Sequence, residues 1–102
     1  MKAARDYTGE GFRIEYRWKE EVVYWEGSRG FRFDAGWGAG PSLLYVPSPE
    51  VWQDVMPDWL RDRRGVVVQR LAQHSEHLLM DDVHGHYRRD PKSRIEREPH
   101  SR

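Results

Sequence analysis

The hydrophobic pattern is clearest near the start of the chain, where apolar and charged residues alternate strictly over residues 12–19. The apolar members are Phe12, Ile14, Tyr16 and Trp18. A period of two is typical of a strand that buries one face and exposes the other to water. A helix would place Phe12 and Ile14 about 200° apart and would have no apolar stripe. The pattern therefore predicts a first strand whose rings form the interior of the molecule and whose charged side chains face water.

Three more strands are predicted after the first. Residues 22–25 are β-branched or aromatic, residues 31–34 alternate apolar with charged side chains, and residues 43–46 are apolar or aromatic. β-Branched and aromatic residues are enriched in strands. The glycine-containing segments 26–30 and 36–41 are typical of the turns between strands. Because the connections are short, we expect sequential strands to be neighbours in an antiparallel meander.

Helices are predicted after the strands. Ser48 is a favourable N-cap and is followed by a proline in the first helical position, and Pro57 ends this first helix. A second helix is predicted over residues 58–74, with apolar positions at a helical period. In the alternative, Gly65 ends that helix and residues 66–68 form a strand. The good helix formers that follow favour the helix.

The length of 102 residues predicts one domain. Residues 1–11 are polar and predict a flexible leader, and residues 84–102 are charged with almost nothing to bury and predict a disordered tail. Residues 78–80 are apolar and are a possible short last strand. The expected fold class within residues 12–83 is α+β, an antiparallel meander of about four strands followed by one or two helices packed on one face.

Composition excludes several classes of function. The chain has no cysteine, which excludes disulfides, cysteine-ligated zinc and thiol nucleophiles. Its 17 basic and 17 acidic residues balance, but the body is acidic and residues 84–102 are basic, whereas a dedicated nucleic-acid binder usually has a basic domain. The N-terminus lacks the apolar run of a signal peptide. No stretch approaches the roughly 18 apolar residues that can cross a membrane. We therefore expect a cytoplasmic protein that does not insert into membranes.

Three aromatic residues are candidate contact residues for a protein partner. Trp37 lies between glycines, and Tyr24 and Trp25 lie in a predicted strand that could be at a sheet edge. Large rings supply contact area at a low entropic cost. The glycines around Trp37 are not followed by a helix, so a phosphate-binding loop is not favoured over a flexible hairpin loop. With no nucleophile, triad or cofactor motif, we predict a non-enzymatic protein-binding domain without a cofactor. A sheet edge could also pair with another copy to form a homodimer.

Nucleic-acid binding is the first alternative. Arg61 and Arg64 share one face of the second predicted helix and could contact phosphates, with the basic tail adding non-specific affinity. Ion pairs with acidic residues on the same helix explain these arginines equally well.

A metal-dependent enzyme is the second alternative. His74, His77 and Asp81 have side chains that can ligate a divalent metal. Solvated histidines, with His74 at the C-terminus of a helix, are the simpler interpretation.

Three segments resemble those of small uncharacterised bacterial α+β proteins. They are Y-W-E-G-x-x-G-F-x-F-D at residues 24–34, L-Y-V-P-S-P-E-V-W at residues 44–52 and M-P-D-W-L-R-D-R-R at residues 56–64. Some such proteins resemble immunity proteins, which neutralise the toxins of competing cells. The resemblance covers about residues 12–82 and implies a compact module that works by surface complementarity. It assigns no active site and no specific partner.

Overall fold

A computed structural model describes residues 6–17, 20–36, 40, 42–82 and 85–98. Its strands are β1 (Tyr7–Thr8), β2 (Arg13–Arg17), β3 (Glu21–Glu26), β4 (Arg29–Gly36), β5 (Leu43–Pro47), β6 (Leu78–Asp82) and β7 (Ile95–Arg97). Its helices are α1 (Pro49–Val55), α2 (Asp58–Arg61) and α3 (Arg64–His74), with 3₁₀ turns at His86–Arg88 and Lys92–Arg94. None of the helices in this described part of the chain is long and apolar enough to cross a membrane.

The strands form one mixed sheet in the order β1-β2-β3-β4-β5-β6, with β7 paired to β4 beside β5. The meander from β1 to β5 is antiparallel, but β5 and β6 are parallel. Parallel neighbours need a crossover connection, and the three helices between β5 and β6 supply it. The α+β class and the meander are therefore confirmed, whereas the sheet has more strands than expected and includes a parallel pair that the sequence did not predict.

The second predicted helix is divided into α2 and α3. Residues 66–68 are helical, as favoured over the strand alternative. The division occurs because side chains of α1 provide the hydrogen bonds that end α2. The indole Nε1 of Trp52 donates to the carbonyl oxygen of Leu60 at 2.9 Å, and the side-chain amide of Gln53 donates to the carbonyl oxygen of Arg61 at 2.9 Å. These two carbonyls are thereby satisfied at the end of a very short helix. The start of α1 is as predicted, since Ser48 Oγ accepts from the backbone N–H of Val51.

The helices cover one face of the sheet and form the main core with it. Fully buried side chains from both layers meet there: Ile14, Tyr24, Phe31, Phe33, Trp52, Leu60, Val67 and Leu71. Phe12 and Tyr16 are partly buried against the same cluster, so the period of two in the first strand does direct its rings to the interior. Trp18 lies outside the described residues.

On the other face of the sheet, charged side chains cover apolar residues. This corrects the expectation from the sequence that the charged side chains of the first strand only face water. Trp25 is only 4% exposed and Val23 is fully buried. The guanidinium carbon of Arg13 lies 4.6 Å from the ring centre of Trp25. Glu15 accepts a hydrogen bond from the indole Nε1 of Trp25 at 2.9 Å. Aliphatic stems of arginine and glutamate can cover apolar surface while their charged ends stay hydrated.

The predicted disordered tail is wrong for residues 85–98, which fold onto the sheet. Tyr87 is fully buried, and its hydroxyl donates to the carbonyl oxygen of Tyr45 at 2.6 Å and accepts from the backbone N–H of Asp34 at 2.8 Å. Arg94 holds the Asp34 carboxylate through two hydrogen bonds of 2.8 Å each. The buried ring of Tyr87 and the bidentate ion pair between Arg94 and Asp34 thus anchor a segment that otherwise has little to bury.

The predicted leader is also partly structured. Within residues 6–11, β1 pairs with β2 in the registers Tyr7↔Ile14 and Thr8↔Arg13. The ring of Tyr7 stacks on His74 with 4.0 Å between ring centres. The described part of the leader is therefore an edge of the sheet, fixed to the end of α3.

Replacing Tyr87 tests whether the tail anchors the fold. Tyr87→Phe keeps the ring but removes the hydroxyl that pairs with two buried backbone groups. We expect the free energy of unfolding to fall by about 1–3 kcal/mol, the usual cost of unpaired buried polar groups. Urea denaturation of the full chain measures it. Arg89→Gln, an exposed change in the same segment, is the matched control and should change stability by less than about 0.5 kcal/mol. Equal stability of the wild type and Tyr87→Phe would contradict this role.

Candidate functional site

Two of the three aromatic residues predicted to contact a partner lie in the interior of the protein. Tyr24 is fully buried and Trp25 is 4% exposed, so neither ring can touch a partner, and their assignment as contact residues is wrong. The reason is that both sides of β3 are covered, by helices on one face and by charged side chains on the other. Trp37 lies outside the described residues, so its role stays a prediction.

Tyr24 instead belongs to a buried polar cluster between β3 and α3. Its hydroxyl donates to Glu26 Oε2 at 2.6 Å and accepts from Arg70 at 2.8 Å. Glu26 is also paired with Arg63, and its side chain is 13% exposed. Burial, and then the hydrogen bond to Glu26, raises the pKa of Tyr24 to about 12. Because donors and acceptors in this cluster satisfy one another, it stabilises the packing of α3 on the sheet.

The two arginines proposed to contact nucleic acid already donate within the fold. Arg61 donates to the Asp58 carboxylate at 2.6 Å and to the carbonyl oxygen of Met56 at 3.0 Å. Arg64 donates to the carbonyl oxygen of Pro47 at 3.0 Å and to Asp81 at 3.2 Å. The pair of Arg61 with Asp58 is the ion pair expected within the helix, whereas Arg64 pairs with Asp81 of β6 and not with an acid of its own helix. Nucleic-acid binding stays a prediction.

The residues proposed to ligate a metal do not converge. His74 stacks on Tyr7, His77 stacks on Tyr16 with 5.4 Å between ring centres, and Asp81 pairs with Arg64. Burial lowers the pKa of His77, which favours its neutral form. Across the part of the chain that the structure describes, no group of three or more possible ligands could hold a metal ion. The metal-dependent enzyme therefore stays a prediction without a geometric basis.

The outer edge of β6 carries the two most exposed large hydrophobic side chains among the described residues. This strand is the last in the sheet order and has β5 as its neighbour on one side. Leu78 and Met80 are 58% and 48% exposed, and because they are two residues apart they lie on the same face of the sheet. We call these two side chains, together with the outer backbone of the strand, the β6 edge. Among the described residues, no strand pairs with the outer backbone of β6, so this edge combines backbone hydrogen-bonding groups with an apolar strip.

A pocket of about 440 Å³ adjoins the β6 edge. Its lining comes from β4, β5, β6 and the folded tail: Asp34, Tyr45, Met80, Asp81, Asp82, His86 and Tyr87. The carboxylates are already engaged, Asp34 by Arg94, Asp81 by Arg64, and Asp82 by the backbone N–H of His86 at 3.2 Å. Since Met80 belongs to both features, the pocket continues the apolar strip into the sheet surface.

The sequence contains only a weak signal for this surface. An isolated apolar run lies between a histidine and two aspartates, at Leu78, Leu79 and Met80. The short last strand that this run indicated is confirmed. Nothing in such a run distinguishes an edge strand from a central one, because its number of neighbours is set by the topology of the sheet.

The raised pKa of Tyr24 predicts a pH dependence of stability. Its pKa is raised above the unfolded value of 10.0, so the neutral hydroxyl stabilises the fold fully below about pH 10 and this contribution is lost as the pH rises to about 12. Tyr24→Phe lowers stability below about pH 10 by removing two hydrogen bonds, and it should make the fall between these pH values shallower. Urea denaturation over a pH series measures both slopes, and parallel slopes would contradict the prediction.

Comparison with known proteins adds no relative. A scan against protein-family models, a search of curated proteins and a search of solved structures each find no match to this chain. The resemblance to immunity-like proteins therefore stays a prediction, and the functional argument depends on the geometry of the β6 edge.

Proposed function

We propose that this protein is a small non-enzymatic interaction domain that binds a protein partner by strand addition at the β6 edge. The observation that carries the proposal is the exposure of Leu78 and Met80, 58% and 48%, side by side on a terminal strand. An exposed edge offers unpaired backbone groups to an incoming strand, and neighbouring apolar side chains provide specificity.

The other strand ends of the sheet show the protection that β6 lacks. β1, at the opposite end of the order, is two residues long, whereas β6 is five. β7 is three residues long and carries Glu96 and Arg97 beside one exposed apolar residue, Ile95. Short and charged strands are the usual ways in which proteins prevent edge-to-edge pairing. A longer strand with two exposed apolar side chains is therefore best explained by a partner that covers it.

The β6 edge is also held rigidly, which favours binding because little order has to be gained. All five residues of β6 pair with β5, from Leu43↔Leu78 to Pro47↔Asp82. Leu79 points to the helix side and packs against the main core. Arg64 of α3 bonds Asp81 near the end of the strand. The strand is thus fixed on one side and on the helix face, and no strand of the described part of the chain pairs with its outer side.

A photo-crosslinking amino acid at position 80 tests the proposed function in the full chain. We expect ultraviolet irradiation, in cells that naturally produce the protein, to give protein adducts at position 80 in severalfold higher yield than at position 66. Position 66 is the matched control because Val66 is similarly exposed, at 40%, but lies on α3. Mass spectrometry of the adducts identifies the crosslinked segment.

Two results would contradict the proposed function. Equal adduct yields at positions 80 and 66 would show no preference for the β6 edge. Adducts at position 80 that persist unchanged when Leu78→Lys is introduced in the same chain would show that the apolar strip does not contribute, because a lysine at a 58% exposed position places a charge directly in the strip.

A further inference from the structure

We propose that the partner at the β6 edge is a second copy of this chain. In the assembly, the two β6 strands pair antiparallel across a two-fold axis at Leu79, with Leu78 of each copy opposite Met80 of the other. The inference rests on the proposed function, since it names the partner of the same edge. It joins two sheets into one continuous sheet through an isologous interface, the commonest form of homodimer.

The backbone of β6 is set for this pairing. The N–H of Leu78 donates to the carbonyl oxygen of Ser42 at 3.0 Å, and the carbonyl oxygen of Asp82 accepts from Ser48 at 3.2 Å, so these residues direct their backbone groups toward β5. In a strand paired in parallel, alternate residues point to opposite neighbours. The N–H and C=O of Leu79 and Asp81 therefore point outward. With the axis at Leu79, the N–H of Leu79 in each copy donates to the carbonyl oxygen of Leu79 in the other copy.

The side chains of β6 match in this register. With Leu79 opposite its counterpart, Leu78 of each copy lies opposite Met80 of the other, on the face where both are exposed. This position is a non-hydrogen-bonded pair, in which the Cα atoms are only about 4.5 Å apart and the side chains are in close contact. Two such apolar pairs form in the dimer, one on each side of the axis, and they cover the entire apolar strip.

The position of the axis decides which side chains lie opposite the apolar strip. With the axis at Leu79, Asp81 lies opposite His77, the residue that precedes the strand. An axis at Met80 would place Leu78 opposite the carboxylate of Asp82. An axis at Asp81 would place two carboxylates directly opposite each other, and like charges in cross-strand pairs are destabilising. Of these three registers, the axis at Leu79 is the one that pairs both exposed apolar side chains, Leu78 and Met80, with apolar partners. This apolar self-complementarity favours a second copy as occupant.

Sedimentation of the purified full chain over a range of concentrations tests the assembly. We expect a concentration-dependent dimer, and we expect Met80→Lys to raise its dissociation constant at least about tenfold, since two lysines per dimer would lie beside Leu78. Val66→Lys is the matched control, because Val66 is similarly exposed on α3, and it should leave the dissociation constant unchanged. Circular dichroism confirms that both variants are folded.

Cysteine crosslinking tests the register without background, because the natural chain has no cysteine. An oxidised mixture of Leu78→Cys and Met80→Cys chains should give mixed disulfide dimers, since a Cα separation of about 4.5 Å suits a disulfide. Each variant alone should crosslink to itself much less, because positions related by the axis are then diagonal neighbours about 7–8 Å apart.

The outcomes separate this inference from the proposed function. A monomer at every concentration, or self-crosslinking of Met80→Cys in excess of the mixed product, would overturn the two-fold pairing described here. If the chain is monomeric but photo-adducts at position 80 contain another protein, the proposed function stands and this inference fails. If position 80 gives no preferred adduct and the chain is monomeric, both fail.

Discussion

The bridge that the Tyr87 hydroxyl makes between β4 and β5 is the interaction on which the proposed binding edge depends. One edge of β4 has two neighbours, β7 along its first half and β5 at its end. Between them the hydroxyl of Tyr87 bridges the backbone N–H of Asp34 and the carbonyl oxygen of Tyr45. Where β4 and β5 no longer bond each other, the tyrosine supplies the missing partner to both. This satisfies buried backbone groups that would otherwise be costly.

The direction of β5 is set where it diverges from β4. The position of β6 depends in turn on β5. β6 is parallel to β5 and pairs with it along its whole length. Any change in the direction in which β5 diverges from β4 would therefore move the β6 edge as well. The folded tail also contributes His86 and Tyr87 to the pocket beside Met80. The last segment of the chain therefore both fixes the sheet and shapes the surface next to the proposed binding edge.

The two faces of the sheet are covered by different means, and this explains where a partner can bind. Helices cover one face through a core of large rings and aliphatic side chains. On the other face, Glu96 of β7 lies 3.1 Å from Arg17 and 3.0 Å from Arg32, and Val23 is fully buried. With both faces covered, Tyr24 and Trp25 of β3 are interior. The two most exposed large apolar side chains in the described part of the sheet are Leu78 and Met80, and the binding function is proposed for them.

Local patterns in the sequence determined the elements of this protein. The alternation from Phe12 onward set a strand with its rings inward, Ser48 and the following proline set the start of α1, and good helix formers kept residues 66–68 helical. Each of these depends on residues close together in the chain, where propensity, capping and period act directly. The α+β class follows from the order of the elements.

Tertiary structure alone decided the rest, because it depends on pairs of residues far apart in the chain. Tyr87 looks like an isolated ring among charges until it meets backbone groups 53 and 42 positions away. Tyr24 and Trp25 look like contact residues until both faces of β3 are covered. Leu78 and Met80 are ordinary strand residues until the crossover makes β6 the last strand. Burial and edge position are properties of the assembled sheet, and no local pattern of residues encodes how many neighbours a strand acquires.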